Sequence, residues 1–530
     1  MIAQPAGTPQ TASASPGDSL CTPLPAPTGR TVTVNSVDAL VSAVDNAVTG
    51  DTILIADGVY ALNGRYLRID TPSVTIRALS GNREAVVLDG NYQTTEIFQI
   101  AASNVTITEL TLREARYHPI HVITDGSNHT LNTLIYSVHI IDPGQQAIKV
   151  NPATAGYYID NGTIACSHIE LTPTGRGQVW DINGSCYTGG IDMHQSRGWT
   201  IRDNLIEGFW CSAGLSEHAI HMWRGCRDTV IERNQLDDNA RGVGLGMATS
   251  GTGRTYPDNP CPTANGYVDD FGGIVRNNFI SANDPGLLAS LNGFDNGISF
   301  WNACNAQALH NTIYTANPAA TFSAIEWRYS NTRATITNNL ANDTLRQRDG
   351  AVAVVNGNIE NASAQWFVNP AVGDLHLLDT ASAAIDKVTA PGAVPTDFDH
   401  EARPIGAASD IGADEYQPPA PARVVNLRVA QAVVSGDTIN VTLVWTAPLG
   451  AESQTLRYAP SSVNEQTWDA ATVLAEGLSG SAATFSATIP YNDQTLYFAQ
   501  KGYNTEGGWS PVSNNGFWPT FETYLPLIRR

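Results

Sequence analysis

Several features that identify common protein classes are missing from this sequence. It contains no run of about 18 apolar residues, so no membrane span is predicted. It also contains no Cys-x-x-Cys pair, P-loop, Gly-x-Ser-x-Gly elbow or dinucleotide fingerprint. Charge is scarce, at 15 % of residues, and the 29 basic residues are outnumbered by 50 acidic ones. The resulting net charge of −21 argues against a nucleic-acid partner, because phosphate binding needs clustered Lys and Arg.

The seven cysteines are an odd number and do not have the spacing of a metal site. Disulfides formed in an oxidising compartment are the better interpretation, and they predict an extracellular or cell-surface protein. Pairs Cys166–Cys186 and Cys211–Cys226 would each close a short loop, although spacing alone leaves the connectivity open. One thiol is left over in any pairing.

A long-period repeat is the main positive signal. Eight apolar segments recur: FQIA, IHVIT, AIKVN, GIDMH, AIHMW, GVGLG, GISFW and AIEWR. Most are spaced by about 22 to 30 residues, and the larger spacings predict loops inserted at about 172–188 and 248–272. One coil cannot bury its apolar side chains alone, whereas stacked coils bury them in a continuous core. The pattern therefore predicts an all-β protein built on a right-handed parallel β-helix.

A second segment in each coil ends in a polar residue at a fixed position. That position holds Asn204, Asn234, Asn278, Asn311 and Asn339. Stacked Asn side chains can hydrogen-bond from coil to coil at a turn that tolerates left-handed dihedrals, so a ladder is expected here.

The two ends of the repeat region set the predicted domains. A disordered leader is expected over 1–30, and the β-helix over 31–416 begins with a capping helix at 36–48, with Ser36 as N-cap and Gly50 at its end. A Pro-rich linker follows at 417–423. Alternating strands over 424–517 predict a β-sandwich, with Trp445, Tyr458 and Tyr497 suited to its core. The tail at 518–530 is a candidate attachment peptide.

Two stretches carry a family resemblance. GDTILIADGVY, with coils that end in NN or RN, resembles the pectate-lyase-like and chondroitinase-B-like β-helix superfamily. SAAIDKV and TDFDHEARPIGAASDIGADEY resemble the choice-of-anchor segment that closes many secreted β-helix proteins. The strands over 424–517 resemble a fibronectin type III module. These resemblances imply a carbohydrate-active, secreted protein, and they specify a fold better than an activity.

Alternation along each strand predicts which side chains face outward. A first column is expected to hold His121, Lys149, Asp192, His221, Gly244, Ser299 and Glu326. A second column is expected to hold Ile123, Asn151, His194, Trp223, Gly246, Trp301 and Arg328. A solvated sheet face ordinarily carries Thr, Ser, Asn and Lys, so this collection of titratable and aromatic side chains predicts a functional surface.

The predicted catalytic residues lie in these columns. They are His221 or Lys149 as a base, Asp192 as the group that orients it, His194 and Glu326 as further titratable groups, and Arg328 as the group that neutralises a uronate carboxylate. Neighbouring coils would place Asp192 roughly 5 Å from His221. A base that works near neutral pH is what proton abstraction beside a carboxylate requires.

Substrate contacts are predicted around the same face. Trp223 and Trp301 would offer flat surfaces to sugar rings, Gly244 and Gly246 would leave a notch free of side chains, and Arg241 and Arg224 would border it. Asn151 completes the predicted binding residues.

Metal binding has only weak support in the sequence. Loop carboxylates make Ca²⁺ the candidate ion: Glu217, Asp237, Asp238, Asp269, Asp270 and Asp295. In HAIHMW, His218 and His221 are three residues apart, so they would face opposite ways on one strand or sit on different elements, and a zinc site is not predicted.

The predicted function is a polysaccharide lyase that cleaves a uronate-containing glycan by β-elimination. A glycoside hydrolase or epimerase is the first alternative. Asp192 and Glu326, four coils apart and so about 19 Å from each other, could not be its acid pair; Asp192 would need a loop carboxylate. The second alternative is a non-enzymatic, cell-surface adhesin that binds glycans.

Overall fold

The structure is a computed structural model that describes residues 21–505 and 507–518. The chain divides into two compact units, the first ending at Tyr416 and the second beginning at Gln417. Over the described residues, no helix is both long and apolar enough to cross a membrane.

The first unit is a parallel β-helix, which confirms the predicted fold class. Each full coil contributes one strand to each of three stacked sheets. Sheet 1 consists of Leu67–Ile69, Glu96–Ile100, His118–Val122, Gln146–Val150, Gly189–His194, Ile220–Trp223, Arg241–Leu245, Phe294–Trp301, Thr321–Arg328 and Leu345–Gln347. Sheet 2 consists of Thr31–Val34, Thr52–Ile55, Thr75–Ala78, Thr106–Thr108, Leu134–Tyr136, Thr163–Ala165, Thr200–Arg202, Cys226–Arg227, Val230–Glu232, Asp270–Phe271, Ile274–Arg276, Ala303–Leu309, Arg333–Thr337 and Val352–Asn356. Sheet 3 consists of Gly58–Ala61, Val86–Asp89, Thr111–Arg113, His139–Ile141, His168–Glu170, Leu205–Glu207, Gln235–Asp237, Phe279–Ala282, Thr312–Thr315 and Leu340–Ala341.

Helix α1 (Val37–Asp45) covers the first coil. The Ser36 side chain accepts a hydrogen bond from the Ala39 N–H at 3.2 Å, as expected of an N-cap. The helix ends at Asn46, earlier than the predicted end at Gly50. Its buried Leu40 and Val44 belong to the same apolar core as the first strands, so the helix protects the open end of the solenoid.

Short elements interrupt the coils. The insertions predicted at 172–188 and 248–272 are both present, and α2 (Pro173–Asn183) lies in the first of them. The other short elements are α3 (Pro285–Leu288), the 3₁₀ turns Arg83–Ala85, Pro318–Ala320, Ala364–Trp366 and Pro370–Val372, a parallel pair Thr130–Leu131 and Ile159–Asp160, and an antiparallel pair Phe367–Asn369 and Asp374–Leu377.

The predicted asparagine ladder is confirmed. In its middle, the Asn278 amide donates to Asn311 Oδ1 at 2.9 Å, and its own Oδ1 accepts from the backbone N–H and the side chain of Asn234 at 2.9 and 3.0 Å. The ladder continues one coil further than predicted, because the Asn339 amide donates to Asn358 Oδ1. The left-handed dihedrals belong to the residues just before the ladder positions: Asp203, Arg233, Asn277, His310 and Asn338.

Replacing Asn278 with Ala is expected to destabilise the first unit by about 3 kcal/mol, because buried donors and acceptors on both neighbouring coils lose their partner. The measurement is the denaturant midpoint of the first unit. Asn361, which is exposed, provides the control, and Asn361→Ala should change stability by less than about 0.5 kcal/mol. Equal effects for the two variants would show that the ladder contributes nothing specific.

The suggested disulfide pairs are wrong. The bonds are Cys21–Cys166, Cys186–Cys211 and Cys261–Cys304, and Cys226 is free and buried. The last two bonds span 25 and 43 residues, which is about one coil each. In a solenoid, residues one coil apart are neighbours, so closeness in sequence is a poor guide to pairing.

Residues 21–30 form no regular secondary structure but are held against the solenoid. The Cys21–Cys166 disulfide fixes one end, and the Arg77 guanidinium donates to the Pro25 carbonyl at 2.8 Å. This differs from the disordered leader predicted over 1–30, of which residues 1–20 lie outside the described residues.

The closing segment packs on the outside of the last coils. Phe398 stacks on Phe279 with ring centroids 3.9 Å apart. The fully buried Arg403 pairs with Glu415 and donates to Asn277 Oδ1 at 3.2 Å. These contacts make the segment part of the first unit, while its choice-of-anchor type stays a prediction.

The second unit is built from two antiparallel sheets. One holds Arg428–Ser435, Thr438–Val444 and Thr484–Pro490; the other holds Ser453–Ala459, Thr472–Ser479, Leu496–Asn504, Gly508–Trp509 and Gly516–Trp518. Trp445 is buried in its core and Tyr458 packs against it, whereas Tyr497 lies outside the core cluster. Residues 417–423 have no regular structure, and all of the predicted tail beyond 518 lies outside the described residues.

Candidate active site on sheet 1

The first column has the register expected from the sequence. Strand pairing aligns Gln99, His121, Lys149, Asp192, His221, Gly244, Ser299 and Glu326 in this order. In the second column, His194 pairs with Trp223 and Trp301 pairs with Arg328. Alternation of core and surface side chains was thus enough to align residues that are far apart in the chain.

Asp192 is the centre of a buried polar cluster. Its Oδ2 accepts a hydrogen bond from the Lys149 ammonium, and its Oδ1 accepts one from the Trp223 indole at 2.7 Å. His194 Nε2 lies 3.5 Å from Oδ2, and His221 Nδ1 lies 3.9 Å from Oδ1. Burial by itself raises the pKa of Asp192, but Lys149 and the two histidines hold this pKa well below its ordinary value. Asp192 is therefore an ionised carboxylate that organises its neighbours.

His194 directs its Nε2 toward this cluster. The Lys149 ammonium lies 3.2 Å from His194 Nε2. Since an ammonium has only donors, Nε2 must accept, and the imidazole is neutral. The pKa of His194 is lowered, first by burial and then by the charges of Lys149 and Arg224, against the opposing effect of Asp192. The ring keeps a small exposed fraction, which makes it the histidine of this cluster with access to the surface.

His221 is less suited to act as a base. Only 1 % of the residue is exposed, and its Nε2 donates toward the Gly246 carbonyl at 3.3 Å. Its Nδ1 lies 3.5 Å from Glu217 Oε2. Its ring stacks on Trp223 with centroids 5.3 Å apart and an interplanar angle of 2°. These contacts suit His221 to coordinate a ligand or to support the structure.

Alternation breaks at one position in most coils of sheet 1. Strand pairing passes over one residue there, and in several coils this residue is a glycine: Gly190, Gly242 and Gly297. A Cβ on these three glycines would come within 2.8, 3.2 and 2.8 Å of core isoleucine methyl groups of sheet 3, so this position turns inward. The break lets residues three apart share the outer face. It creates a third column, three residues before the first: Glu96, His118, Gln146, Gly189, His218, Arg241, Asn296 and Ser323.

The third column overturns the sequence argument on His218 and His221. Their ring centroids are 4.6 Å apart on one face, and Glu217 joins them with one ligand atom from each residue within 4.8 Å of the others. Glu217 and His218 precede the strand Ile220–Trp223, so strict alternation does not govern them. The signal that could have revealed this is the small residue that opens most of the repeated segments, as in AIKVN, GIDMH and AIHMW.

The predicted notch at Gly244 and Gly246 is not open. A Cβ on Gly244 would lie 2.6 Å from His218 Cε1, and one on Gly246 would lie 2.0 Å from the Trp301 carbonyl oxygen. The glycines make room for the His218 ring and for close backbone approach. They do not leave a groove for substrate.

Some predicted residues lie away from the Asp192 cluster. Trp301 is 8 % exposed, and its indole donates to Glu326 Oε1 at 2.6 Å, so it offers no open platform. Arg328 pairs with Asp349 at 2.8 Å. Glu326 and Arg328 are four strands from Asp192 and His194 in register, because the columns run along the whole solenoid.

The remaining predicted contacts divide between the cluster and its surroundings. The Arg224 guanidinium lies 4.6 Å from the centroid of the partly exposed Trp223 ring, at the edge of the cluster. Arg241 pairs with Asp295 at 2.8 Å and lies over Trp301. Asn151 Oδ1 accepts a hydrogen bond from His121 Nε2 at 2.6 Å, next to the cluster.

The carboxylates considered for Ca²⁺ do not form one oxygen-lined site among the described residues. Asp237 belongs to sheet 3 and is bonded by Ser281, whereas Asp269 accepts backbone N–H groups of Arg224, Met247 and Ala248. Each potential metal group found in this part of the chain contains histidine.

The similarities found for this chain are to solved structures. No family model matches the chain, and no curated protein matches it. Among solved structures, alginate lyase from Paenibacillus sp. str. FPU-7 is 16 % identical, with 62 % of this chain and 99 % of that chain covered and a TM-score of 0.40. GH136 lacto-N-biosidase from Eubacterium ramulus is 10 % identical over 62 % and 68 %, with a TM-score of 0.42. The tailspike protein of E. coli bacteriophage HK620, in complex with pentasaccharide, is 11 % identical over 95 % and 91 %, with a TM-score of 0.40.

The class of this protein is therefore defined by its sheets. The first unit is a parallel β-helix with a polar, partly covered face on sheet 1. At such identities and TM-scores, the similarities do not decide an activity.

Proposed function

We propose that this chain is a secreted, carbohydrate-active protein that cleaves a uronate-containing polysaccharide by β-elimination. The observation that carries the proposal is the neutral His194 imidazole, whose Nε2 faces the Lys149 ammonium at 3.2 Å. A neutral base beside a fixed positive charge is what removal of a proton next to a carboxylate requires.

The reaction would use the two sides of this cluster. His194 Nε2 takes the proton from the carbon that bears the uronate carboxylate, once the Lys149 ammonium turns from Nε2 toward that carboxylate. The electron pair forms a carbon–carbon double bond, and the bond to the glycosidic oxygen at the β position breaks. That oxygen leaves with a proton from the imidazolium or from water. Lys149 and Arg224 supply positive charge near the substrate carboxylate, the role that the sequence analysis gave to the more distant Arg328.

Hydrolysis is the second candidate, because one observation favours it. Glu217 is a loop carboxylate close to Asp192, since His221 Nδ1 lies 3.5 Å from Glu217 Oε2 and 3.9 Å from Asp192 Oδ1. The pair is therefore close enough for a glycosidase. Against it, both oxygens of Asp192 already accept hydrogen bonds, from Lys149 and Trp223. A carboxylate held in this way is a poor proton donor.

A screen against uronate-containing and neutral polysaccharides tests the proposal. A lyase produces an unsaturated uronate that absorbs ultraviolet light, together with new reducing ends. Reducing ends without that absorbance would replace the lyase by a hydrolase. Glycan binding without either product would support the adhesin alternative.

Other parts of the proposal come from the sequence. Three disulfides are in keeping with an oxidising, extracellular compartment. We propose that the polysaccharide is the main partner, that the first unit is related to the pectate-lyase-like and chondroitinase-B-like proteins, and that the second unit is a fibronectin type III-like module that binds glycan, spaces the first unit from the cell or assists its attachment.

A further inference from the structure

Three buried atoms without a hydrogen-bond partner meet at one place on sheet 1. They are Glu217 Oε2, His218 Nδ1 and His221 Nδ1. His218 is fully buried and His221 nearly so. Leaving one buried polar atom unpaired costs about 1–3 kcal/mol. Three such atoms on neighbouring residues, with ligand atoms within 4.8 Å of one another, therefore indicate a missing common partner.

The second nitrogen of each histidine is already held. His218 Nε2 hydrogen-bonds Ser299 Oγ at 2.9 Å, and His221 Nε2 donates toward the Gly246 carbonyl at 3.3 Å. Because a carbonyl only accepts, His221 Nε2 is the donor and Nδ1 is the nitrogen left to bind a ligand. Nδ1 lies 3.5 Å from Glu217 Oε2, an electron-rich oxygen. A cation between the two atoms would satisfy both.

We propose that Glu217, His218 and His221 form a binding site for one divalent transition-metal ion of the zinc class. Two imidazole nitrogens and one carboxylate oxygen, with a fourth position open, are a common ligand set for Zn²⁺. Tetrahedral ligands at zinc distances lie about 3.3 Å apart, close to the separation of Glu217 and His221. Ca²⁺ and Mg²⁺ prefer oxygen ligands only, which this site does not supply.

The surroundings are shaped for this arrangement. Gly244 leaves the space in which the His218 ring lies, since a Cβ there would come 2.6 Å from the ring. Gln146 is fully buried, and neither its amide nitrogen nor its amide oxygen has a partner. Its register partner Gly189 lies between it and Glu217, with a Cβ position 3.1 Å from Glu217 Cβ and 3.8 Å from Gln146 Cγ. Gln146 thus adds two unpartnered polar atoms to the same column.

The two other histidine-containing groups in the described residues lack this feature. His139 is bonded through both nitrogens, by Glu84 and Glu170. His376 is likewise bonded through both, by Asp374 and Asp399. Carboxylates already hydrogen-bond both ring nitrogens of His139 and of His376, so no ion is needed to satisfy them.

The metal proposal does not depend on the lyase proposal, although both sites share one face. The test is Zn²⁺ binding to the metal-stripped full chain, followed by isothermal titration calorimetry and elemental analysis, with Co²⁺ absorption as a probe of ligand type. We expect one Zn²⁺ per chain, a Co²⁺ spectrum of low coordination number, and a higher melting temperature with Zn²⁺ but not with Ca²⁺ or Mg²⁺.

Variants assign the site. Glu217→Gln should weaken Zn²⁺ binding more than about 100-fold, which exceeds the usual effect of losing a residue that only hydrogen-bonds a metal ligand. Glutamine has nearly the same shape as glutamate and the position lies on a partly exposed loop, so the fold should not change. His218→Asn should do the same, and Gly244→Ala should weaken binding by displacing the His218 ring.

His139→Gln is the matched control and should bind Zn²⁺ as the unaltered chain does. Circular dichroism shows whether each variant is folded. If His218→Asn does not fold, Glu217→Gln alone decides the test. Retention of stoichiometric Zn²⁺ by Glu217→Gln, or no stoichiometric binding to the unaltered chain, overturns the proposal. Because binding is measured without substrate, an inactive protein that binds Zn²⁺ would reject only the lyase proposal.

Discussion

Replacing His194 with Gln is expected to reduce kcat on the cleaved polysaccharide by about 10²–10⁴, the usual contribution of a general base. Glutamine keeps a polar side chain of similar reach next to Lys149 and Trp223, so KM and the melting temperature should change little. The loss of rate would then come from the missing base. Initial rates of ultraviolet absorbance with purified variants give the measurement.

The pH profile provides an independent readout of the same residue. Burial, Lys149 and Arg224 together lower the pKa of His194 below the ordinary value of 6.5. A base works when unprotonated, so kcat/KM should rise with pH through this lowered pKa and reach its plateau before neutrality. The acidic limb should therefore lie below pH 6.5 and disappear from the residual activity of His194→Gln.

His139→Gln serves as the control, because His139 lies on sheet 3 and belongs to neither the cluster nor the proposed substrate surface. It should retain the full rate and the same acidic limb. Unchanged kcat in His194→Gln would place the base elsewhere, with Lys149 as the next candidate from the sequence.

The sequence predicted the β-helix and the register of the first column because the same alternation of core and surface side chains recurs in each of the repeated segments. Ile220 and Met222 must enter the core, which turns His221 and Trp223 outward. Stacking at the strand spacing then brings Asp192 beside His221. The asparagine ladder followed from the same logic, since one turn geometry repeats at one position in each coil.

The prediction failed where local geometry departs from alternation. His218 was expected to face away from His221, but the inward-turning small residue between them puts both on one face. Glu217 comes from a loop, and no period fixes the position of a loop residue. Two of the three disulfides use cysteines of the inserted segments, Cys186 and Cys261, for which the repeat gives no register. The fold was therefore predictable while the depth and contents of the site were not.

Replacing Lys149 with Met is expected to destabilise the first unit by about 3–5 kcal/mol, because the buried Asp192 carboxylate loses its counter-ion. Asp192→Asn should cost a similar amount by leaving the ammonium unpaired. In the double variant no buried charge remains, so much of the loss should be recovered. The coupling energy should be about 2 kcal/mol or more, measured from denaturant midpoints of the single and double variants.

The double variant also separates a structural ion pair from a catalytic one. If Lys149 and Asp192 only stabilise the solenoid, a folded double variant should cleave substrate as the unaltered chain does. The β-elimination proposal instead requires the positive charge beside His194. The double variant should then recover stability but remain inactive. A stable double variant with full kcat would therefore remove Lys149 and Asp192 from the mechanism and leave His194 without the electrostatic support on which its proposed role depends.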